Sequence, residues 1–314
     1  MSFEVREATA EDAPGIRRLF ARVFGVPLSA EEWEWKFARN PDGWFGTVAV
    51  LGGEIVGNYA GWAMRLRLDG EEKLAYSVGD VATDPAVRAV GARHGVYRSM
   101  ADAFYETVAA RGIPFCFGFP NARALEISNR IVGTRALFPV RERHVPCESF
   151  LPAPPDAAAG DFVGDGFDPL WAAASPLLPQ AAVRDRLRAN WRFHARPTRY
   201  YRMVWRETGG RLRGWAALSV VGEQALVADF LSESRDGSDL PLLFAAAAAE
   251  ARRLGARRLV FWETPGGPGA AVIARLAGES RDAGFPFVVR SFDDAAAERF
   301  ARSAHFTPAL YDVI

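Results

Sequence analysis

The sequence predicts a mixed α/β protein made of two tandem domains, each with a mostly antiparallel sheet. Its 314 residues suit two domains of about 150 residues better than one. A hydrophobic content of 49% with 24% charged residues is typical of a globular protein. Strand-type alternation and helix-type periodicity follow one another in the same order in both halves, which is the third observation behind this fold class.

The first elements are indicated by alternation and by turn residues. Residues 3–7 alternate as a strand does, and Thr9 followed by Asp12 predicts the start of a helix. A paired Gly52-Gly53 between two apolar runs indicates a tight hairpin. The elements predicted here are a helix over 30–38 and strands over 47–51 and 55–62.

The first half is organised around the stretch from Leu74 to Tyr97. It begins as an apolar strand that ends at Asp84-Pro85, because proline donates no backbone hydrogen bond. A helix predicted from residue 96 to about 110 follows a basic glycine loop. Backbone N–H groups in the first turn of a helix lack helical partners and favour an anion, so the stretch predicts a phosphate-binding loop. The loop contains Arg88, Gly91, Arg93, His94 and Gly95.

The rest of the first half and the linker follow from composition. An apolar run over 113–119 predicts a buried strand, and Asn121 and Gly133 frame a helix over 122–131. A strand is predicted over 137–145. Residues 151–169 are rich in Pro, Gly, Ala and Asp and are interpreted as a linker. The predicted organisation is a domain over 1–150, a linker over 151–169 and a second domain over 170–314.

The second half repeats the first in residues as well as in element order. Trp35-Lys36-Phe37 is echoed by Trp191-Arg192-Phe193, 156 residues later (35 to 191). The glycines that bracket Ile55 are echoed at a separation of 157 residues (57 to 214). We infer a tandem duplication. The elements predicted are helices near 180–193, over 240–254, 269–277 and 294–304, and strands over 201–206, 212–221, 225–231, 258–263, 287–291 and 307–313.

The duplicated phosphate loop differs between the halves. Where the first half has arginines and glycines, the second has residues 232–239, which include three carboxylates that would repel a pyrophosphate. We therefore predict one nucleotide site, in the first domain, and a second domain that keeps only the scaffold.

Charge and cysteine content exclude several classes of function. Lys+Arg and Asp+Glu are both 38, so no global field attracts nucleic acid or acidic lipid. Two cysteines suggest neither a disulfide framework nor a metal site. No apolar run reaches membrane-spanning length, and the first residues do not form a signal peptide. We expect a cytoplasmic protein with no metal and no nucleic-acid or membrane partner, and leave a homodimer open.

The run Val81-Ala82-Thr83-Asp84-Pro85-Ala86-Val87-Arg88, with Gly95 and the helix after it, resembles the GNAT superfamily of acyl-CoA-dependent N-acyltransferases. Phe117-Gly118-Phe119-Pro120-Asn121 and the opening stretch from Val5 to Phe20 support the resemblance. It covers residues 3–145 well and 180–314 by element order alone. It implies two tandem GNAT-like domains, the second degenerate, and acetyl-CoA or coenzyme A as the acyl donor.

The resemblance also implies which residues bind the donor. In this family the strand before the loop parts from its neighbour, and pantetheine lies in the opening. Backbone groups of Val81, Ala82 and Thr83 would pair with pantetheine, and Asn121 would contact its arm. The amides that would hold the pyrophosphate belong to Arg88, Gly91, Ala92, Arg93, His94, Gly95 and Val96. The sequence departs from the family spacing at Arg93, where the family usually has Gly or Ala.

The family reaction is the attack of an amine on a thioester, which needs a base, an oxyanion donor and an acid. Asp80 is the candidate base, with a structural ion pair as the alternative. A backbone N–H within Val81–Thr83 is the candidate oxyanion donor. For the acid, the position seven residues after Asn121 holds Ser128 instead of the family's tyrosine, so Tyr97 and Tyr59 are candidates by residue type. In two-domain members the terminal carboxylate can act as base, so the carboxylate of Ile314 is a further candidate for that role.

The acceptor is expected to be a small-molecule or peptide amine. Trp33 and Trp35 are two apart on a predicted helix, so one of them is expected to face a cleft rather than the core. Two other functions remain open: a non-catalytic scaffold that binds CoA or a partner, and an aminoacyl-tRNA-dependent peptide-bridge transferase.

Overall fold

The computed structural model describes residues 3–87, 95–161, 163–234 and 237–311. The strands are β1 Glu4–Glu7, β2 Trp44–Leu51, β3 Glu54–Leu68, β4 Glu71–Thr83, β5 Phe115–Gly118, β6 Arg135–Pro146, β7 Ala157–Gly160, β8 Gln180–Ala182, β9 Arg202–Thr208, β10 Arg211–Val221, β11 Gln224–Ser232, β12 Arg258–Glu263 and β13 Glu279–Ser291. The α-helices are α1 Ala13–Phe24, α2 Ala30–Trp33, α3 Gly95–Ala110, α4 Ala122–Val132, α5 Phe167–Ala174, α6 Arg186–Ala189, α7 Leu240–Arg253, α8 Pro268–Arg275 and α9 Asp294–Ser303. Short 3₁₀ turns and two π-helical turns, Glu34–Ala38 and Asn190–His194, connect them.

The first compact unit is assembled from residues 1–65, 73–136 and 287–297. Its sheet has the strand order β1-β2-β3-β4-β5 and is completed by the end of β13. The β4–β5 pair is parallel, and β13 pairs β5 antiparallel from Val288–Gly118 to Ser291–Phe115. The helix α3 supplies buried Met100, Phe104 and Val108 to the core of this unit. These side chains recur every four residues along one helical face, which explains why the segment is a helix.

The second compact unit contains residues 66–72, 137–286 and 298–314. Its sheet follows the order β6-β12-β11-β10-β9-β7, and β8 pairs with the last residues of β3. The alanine-rich face of α7 packs in its core beside Phe244 and Phe261, whose rings lie 4.7 Å apart. Small alanine side chains let this helix approach the sheet closely, while the aromatic rings fill the remaining volume.

The predicted duplication is visible in the elements. A four-residue helix capped by Ser29, α2, is matched by the four-residue helix α6 capped by Asp185, 156 residues later (29 to 185). Each is followed at once by a five-residue π-turn with a buried basic residue, Lys36 in one and Arg192 in the other. The hairpins β2–β3 and β9–β10 likewise turn on glycine pairs with positive φ. The two tandem domains and their mixed, mostly antiparallel sheets are therefore confirmed.

The compact units differ from the contiguous division at 1–150 and 170–314. β6, from the first half, pairs with β12, and β13, from the second half, pairs with β5. The last long strand of each half is therefore hydrogen-bonded to a strand of the other half. The composition of the sequence does not indicate this exchange of strands. Residues 151–169, interpreted as a linker, contain β7, which pairs with β9, and the start of α5.

Two further local predictions are corrected. The last segment, predicted as a strand over 307–313, is a 3₁₀ turn at Pro308–Leu310 within its described part. Proline at 308 donates no ladder bond, which disfavours a strand there. Both Trp33 and Trp35 are buried although they stand two apart, because the helix changes from α to π geometry at Glu34. Within the described ranges, no helix is long and apolar enough to cross a membrane.

Candidate active site

The first unit contains a pair of parallel strands that part. β4 and β5 are in register only at Tyr76–Cys116 and Ser77–Phe117. β5 then ends at Gly118, whereas β4 runs on to Thr83. The part of β4 beyond Ser77 is therefore not paired with β5, and the edge that it leaves is the candidate opening that the resemblance predicts.

Val81, Ala82 and Thr83 form the end of β4 at this opening. Ala82 is buried, and the strand stops at Asp84, whose backbone N–H donates to Val56 O at 2.9 Å. The Asp84 carboxylate accepts from Arg22 Nε at 3.0 Å and from the Ala86 amide at 2.9 Å. These bonds fix where the strand ends, as the Asp-Pro pair predicts.

Asp80 interrupts β4 with a left-handed backbone conformation, φ +54°. Non-glycine residues rarely adopt this region, and it costs about 1–3 kcal/mol unless the surroundings hold it. Asn58 supplies one such restraint, because its Nδ2 donates to the Asp80 carbonyl oxygen at 2.7 Å. The bend turns the Asp80 side chain toward the π-turn of the same unit, where Lys36 Nζ lies 2.6 Å from Asp80 Oδ2.

Sequence reasoning missed both partners of Asp80. Lys36 is 6% exposed and lies in a π-helical turn, a geometry that recurs at functional sites. A signal for it existed, because lysine occurs only at 36 and 73 among 38 basic residues. Asn58 is 1% exposed, and its Oδ1 is buried without a hydrogen-bond partner among the described residues. No sequence pattern distinguishes Asn58 from an ordinary residue of β3.

Three tyrosines connect the start of α3 to the core of the unit. The rings of Tyr97 and Tyr59 meet edge to face with centroids 5.7 Å apart, and the hydroxyls of Tyr59 and Tyr105 lie 2.8 Å apart. Burial raises the pKa of Tyr97, and it raises the pKa of Tyr59 and Tyr105 further. All three phenols are therefore neutral donors at physiological pH.

The predicted phosphate loop falls partly outside the described residues. Gly95 and Val96 form the first turn of α3, and Val96 is 2% exposed in the core. The structure thus confirms a helix start directly after the loop. The predictions that lie outside the described residues are those for Arg88, Gly91, Ala92, Arg93 and His94, together with the terminal Ile314.

Asn121 and Ser128 both lie on α4, as predicted. Asn121 is the N-cap of this helix, with its Oδ1 accepting from the Ala124 amide at 3.0 Å. Ser128 Oγ donates to Leu125 O at 3.1 Å and accepts from Thr134 Oγ1 at 2.9 Å. These bonds are local to α4 and its C-terminal turn, so they give Ser128 a structural role. Among the described residues, no cluster of His, Cys, Asp or Glu could hold a metal ion.

Residues 4–141 match the family model of the acetyltransferase (GNAT) domain. The match covers most of the first half of the chain, which therefore contains a GNAT acetyltransferase domain. A search of curated protein sequences finds no match.

Solved structures extend the likeness to both halves. A probable N-acyltransferase from Enterococcus faecalis V583 aligns with a TM-score of 0.71 at 12% identity, over 94% of this chain and 74% of its own. A tandem GNAT protein from the clavulanic acid biosynthesis pathway aligns with a TM-score of 0.55 at 15% identity, over 92% of this chain and 98% of its own. Saccharomyces cerevisiae N-myristoyltransferase with bound myristoyl-CoA aligns with a TM-score of 0.57 at 9% identity, over 93% and 79%. The chain therefore has a tandem GNAT fold.

Proposed function

We propose that this chain is an acyl-CoA-dependent N-acyltransferase that moves an acyl group, acetyl in the first instance, to a primary amine by direct attack in a ternary complex. The observation that carries the proposal is the parting of β4 from β5 beyond Ser77–Phe117. An extended donor with amide groups along its arm can pair, as an added strand would, with the edge of β4 at Val81 and Ala82, which is not paired with β5. The GNAT domain match over residues 4–141 supports the same class of chemistry.

The residues around the opening divide the reaction between them. A backbone N–H of the Val81–Thr83 segment serves as the oxyanion donor, a role worth about a hundredfold or more in rate. Asp80 accepts the proton from the attacking amine. Lys36 Nζ contacts Asp80 Oδ2 at 2.6 Å and so orients the carboxylate. The neutral phenol of Tyr97, in the first turn of α3, stabilises the leaving thiolate as a hydrogen-bond donor.

Two matched aspartate variants test this assignment. Asp80→Asn keeps a residue type that tolerates the left-handed region and removes the base, so we expect acyl-CoA binding by calorimetry to stay unchanged. Thiol release against a panel of amines should fall by about a hundredfold or more, the usual contribution of a general base. Asp84→Asn is the control, because Asp84 lies on the same segment and also has an ion pair, to Arg22 at 3.0 Å, yet takes no part in the chemistry.

Three results would contradict the proposal. No binding of acetyl-CoA or a longer acyl-CoA would remove the donor assignment. Binding without thiol release from any amine would make the protein a CoA-binding scaffold. Equal losses in the Asp80 and Asp84 variants would assign Asp80 a structural role only.

A further inference from the structure

The second unit contains its own pair of parting parallel strands. β11 and β12 are in register from Gln224–Arg258 to Leu226–Val260, after which β11 continues to Ser232. An aspartate follows the last paired residue by three positions in both units, Asp80 after Ser77 and Asp229 after Leu226. β11 also carries a bulge here, since Ala217 faces Asp229 whereas Leu218 faces Val227. The second unit thus keeps the architecture of the candidate donor opening.

We propose that the segment 304–311 is the built-in occupant of this second opening, so that the chain has a single acyl-CoA site, in the first unit. The number of sites rests on the proposed function, whereas the occupancy of the opening does not. The segment follows β13 and α9, and the first half has no equivalent of it. After β6 and a 3₁₀ turn at Cys147–Ser149, the described chain continues to β7, the first strand of the second half.

Side chains of the segment bind β11 beyond the point where it leaves β12. Thr307 Oγ1 donates to Asp229 Oδ1 at 2.8 Å, and His305 Nε2 donates to Phe230 O at 2.7 Å. Both hydrogen bonds are buried, since Thr307 is 0% and His305 is 4% exposed. The segment therefore takes the edge of β11 that the resemblance assigns to pantetheine in the first unit.

The other side of the segment packs on β12 and on the loop after it. The ring of Phe306 stacks on Trp262, two residues past the last paired residue of β12, at 6.0 Å and 26°. The ring of Tyr311 lies 6.4 Å from the same indole. Gly267 passes so close that a Cβ there would lie 2.8 Å from Ala304 O. The segment therefore contacts both β11 and β12.

A buried arginine holds the segment in place. Arg184 forms an ion pair with Asp229 at 2.9 Å, with both side chains almost fully buried. Its Nη2 donates to Thr307 Oγ1 at 3.1 Å and to His305 O at 3.3 Å. The backbone N–H of His305 donates to Gln180 O at 2.8 Å. Removing the segment would take two acceptors from Arg184 and one donor from Asp229, which is costly because buried charges need partners.

The equivalent aspartates therefore have different partners. Asp80 contacts Lys36 from the π-turn and keeps a half-buried side chain beside an opening. Asp229 is enclosed by Arg184 and Thr307 and is 4% exposed. A donor arm that entered the second opening would have to displace at least five hydrogen bonds and an aromatic stack. Of the acidic residues that follow β11, Glu233 and Asp239 lie in the described part, and their charge opposes a pyrophosphate there.

Thiol labelling tests the occupancy in the full chain. Ala304→Cys places a thiol at a site 2% exposed, and Ser303→Cys places one at the exposed neighbour, while the native Cys116 and Cys147 are both 1% exposed. We expect maleimide to label Cys at 304 about a hundredfold more slowly than Cys at 303, as a stably closed segment requires. Equal labelling rates would overturn the proposal.

Two measurements on the unaltered protein complete the test. Hydrogen exchange should show the amide of His305 protected to the same degree as the amides of β11, and rapid exchange there would contradict occupancy even if a cysteine variant failed to fold. Calorimetry with acetyl-CoA should give one molecule bound per chain, and two would refute the single site. No binding at all would refute the proposed function, while the labelling and exchange results would still decide the occupancy.

Discussion

Replacing Asn58 with leucine should separate the stability of the first unit from its activity. Asn58 makes one hydrogen bond, from Nδ2 to the Asp80 carbonyl at 2.7 Å, while its Oδ1 is buried without a partner among the described residues. Leucine is of similar size and removes both groups. The variant therefore loses the restraint on the left-handed backbone at Asp80 and at the same time relieves a buried, unsatisfied acceptor.

The two effects on stability oppose each other. Losing the bond leaves the Asp80 carbonyl unsatisfied, at a cost of about 1–3 kcal/mol, and removing an orphaned oxygen recovers a similar amount. We expect the free energy of unfolding to change by less than about 1 kcal/mol as these terms cancel. Activity has no such compensation, because Asp80 and the amides after it depend on the bend. A fall in kcat of about tenfold or more, with little change in KM for acyl-CoA, is expected.

Asn40→Leu provides the matched control. Asn40 is also buried in the first unit, but both ends of its amide are satisfied, by Ala63 O at 3.1 Å and by the Asp42 amide at 2.9 Å. Its loss should cost about 2–4 kcal/mol with no effect on turnover by the folded fraction. Urea unfolding and thiol release would be measured on both variants. Equal destabilisation of the two, with normal turnover in the Asn58 variant, would refute the reasoning about the bend.

Two other outcomes follow from the structure and the sequence. Burial lowers the pKa of His305 to about 3, whereas an unfolded histidine titrates near about 6.5, so the unfolded chain takes up a proton that the folded chain does not. The contribution of His305 to stability is therefore complete above about pH 6.5, and it falls by up to about 2.5 kcal/mol by pH 4.5. Urea unfolding at these two pH values should show this loss in the wild type but not in His305→Gln. Equal pH dependence of the two proteins would contradict the assignment to His305. Gly91→Glu, which adds a carboxylate to the loop predicted to bind pyrophosphate, should weaken acyl-CoA binding in calorimetry without lowering the melting temperature, and unchanged affinity would remove that loop assignment.

Local patterns were enough to predict most elements of the fold. The hairpin at Gly52-Gly53, the Asn121 cap and the Gly133 stop of α4 all depend on contacts within a few residues, and each is found as predicted. The exchange of β6 and β13 between the units depends on pairing between residues more than a hundred positions apart. Such pairing leaves no trace in the composition or periodicity of either strand, so the compact units could not be predicted from the sequence.

The candidate site shows the same division between local and distant causes. The position of Asp80 on β4 follows from a strand pattern that ends at Asp84-Pro85, and the pairing of β4 with β5 stops at Ser77–Phe117. Lys36 reaches Asp80 from 44 residues away through a π-turn, whose extra residue per turn cannot be read from a helical pattern. Asn58 meets Asp80 only because β3 and β4 are neighbours in the sheet. Partners brought together by a left-handed residue in β4 and a π-turn therefore had to be found in the structure.

The duplicated scaffold explains why one opening can remain open while the other is filled. Each half carries the same aspartate, three residues beyond the last strand pair, and a buried basic side chain in the same π-turn. In the second unit Arg184 neutralises Asp229 and, with Arg192, holds the carbonyls of the 304–311 segment, at His305 and Tyr311 respectively. The 304–311 segment contacts both β11 and β12, and His305 Nε2 donates to the carbonyl of Phe230 on β11, so the segment stabilises the second unit without a ligand. Within the described residues, the chain after β6 runs through the 3₁₀ turn at Cys147–Ser149 to β7 and supplies no such segment to the first unit.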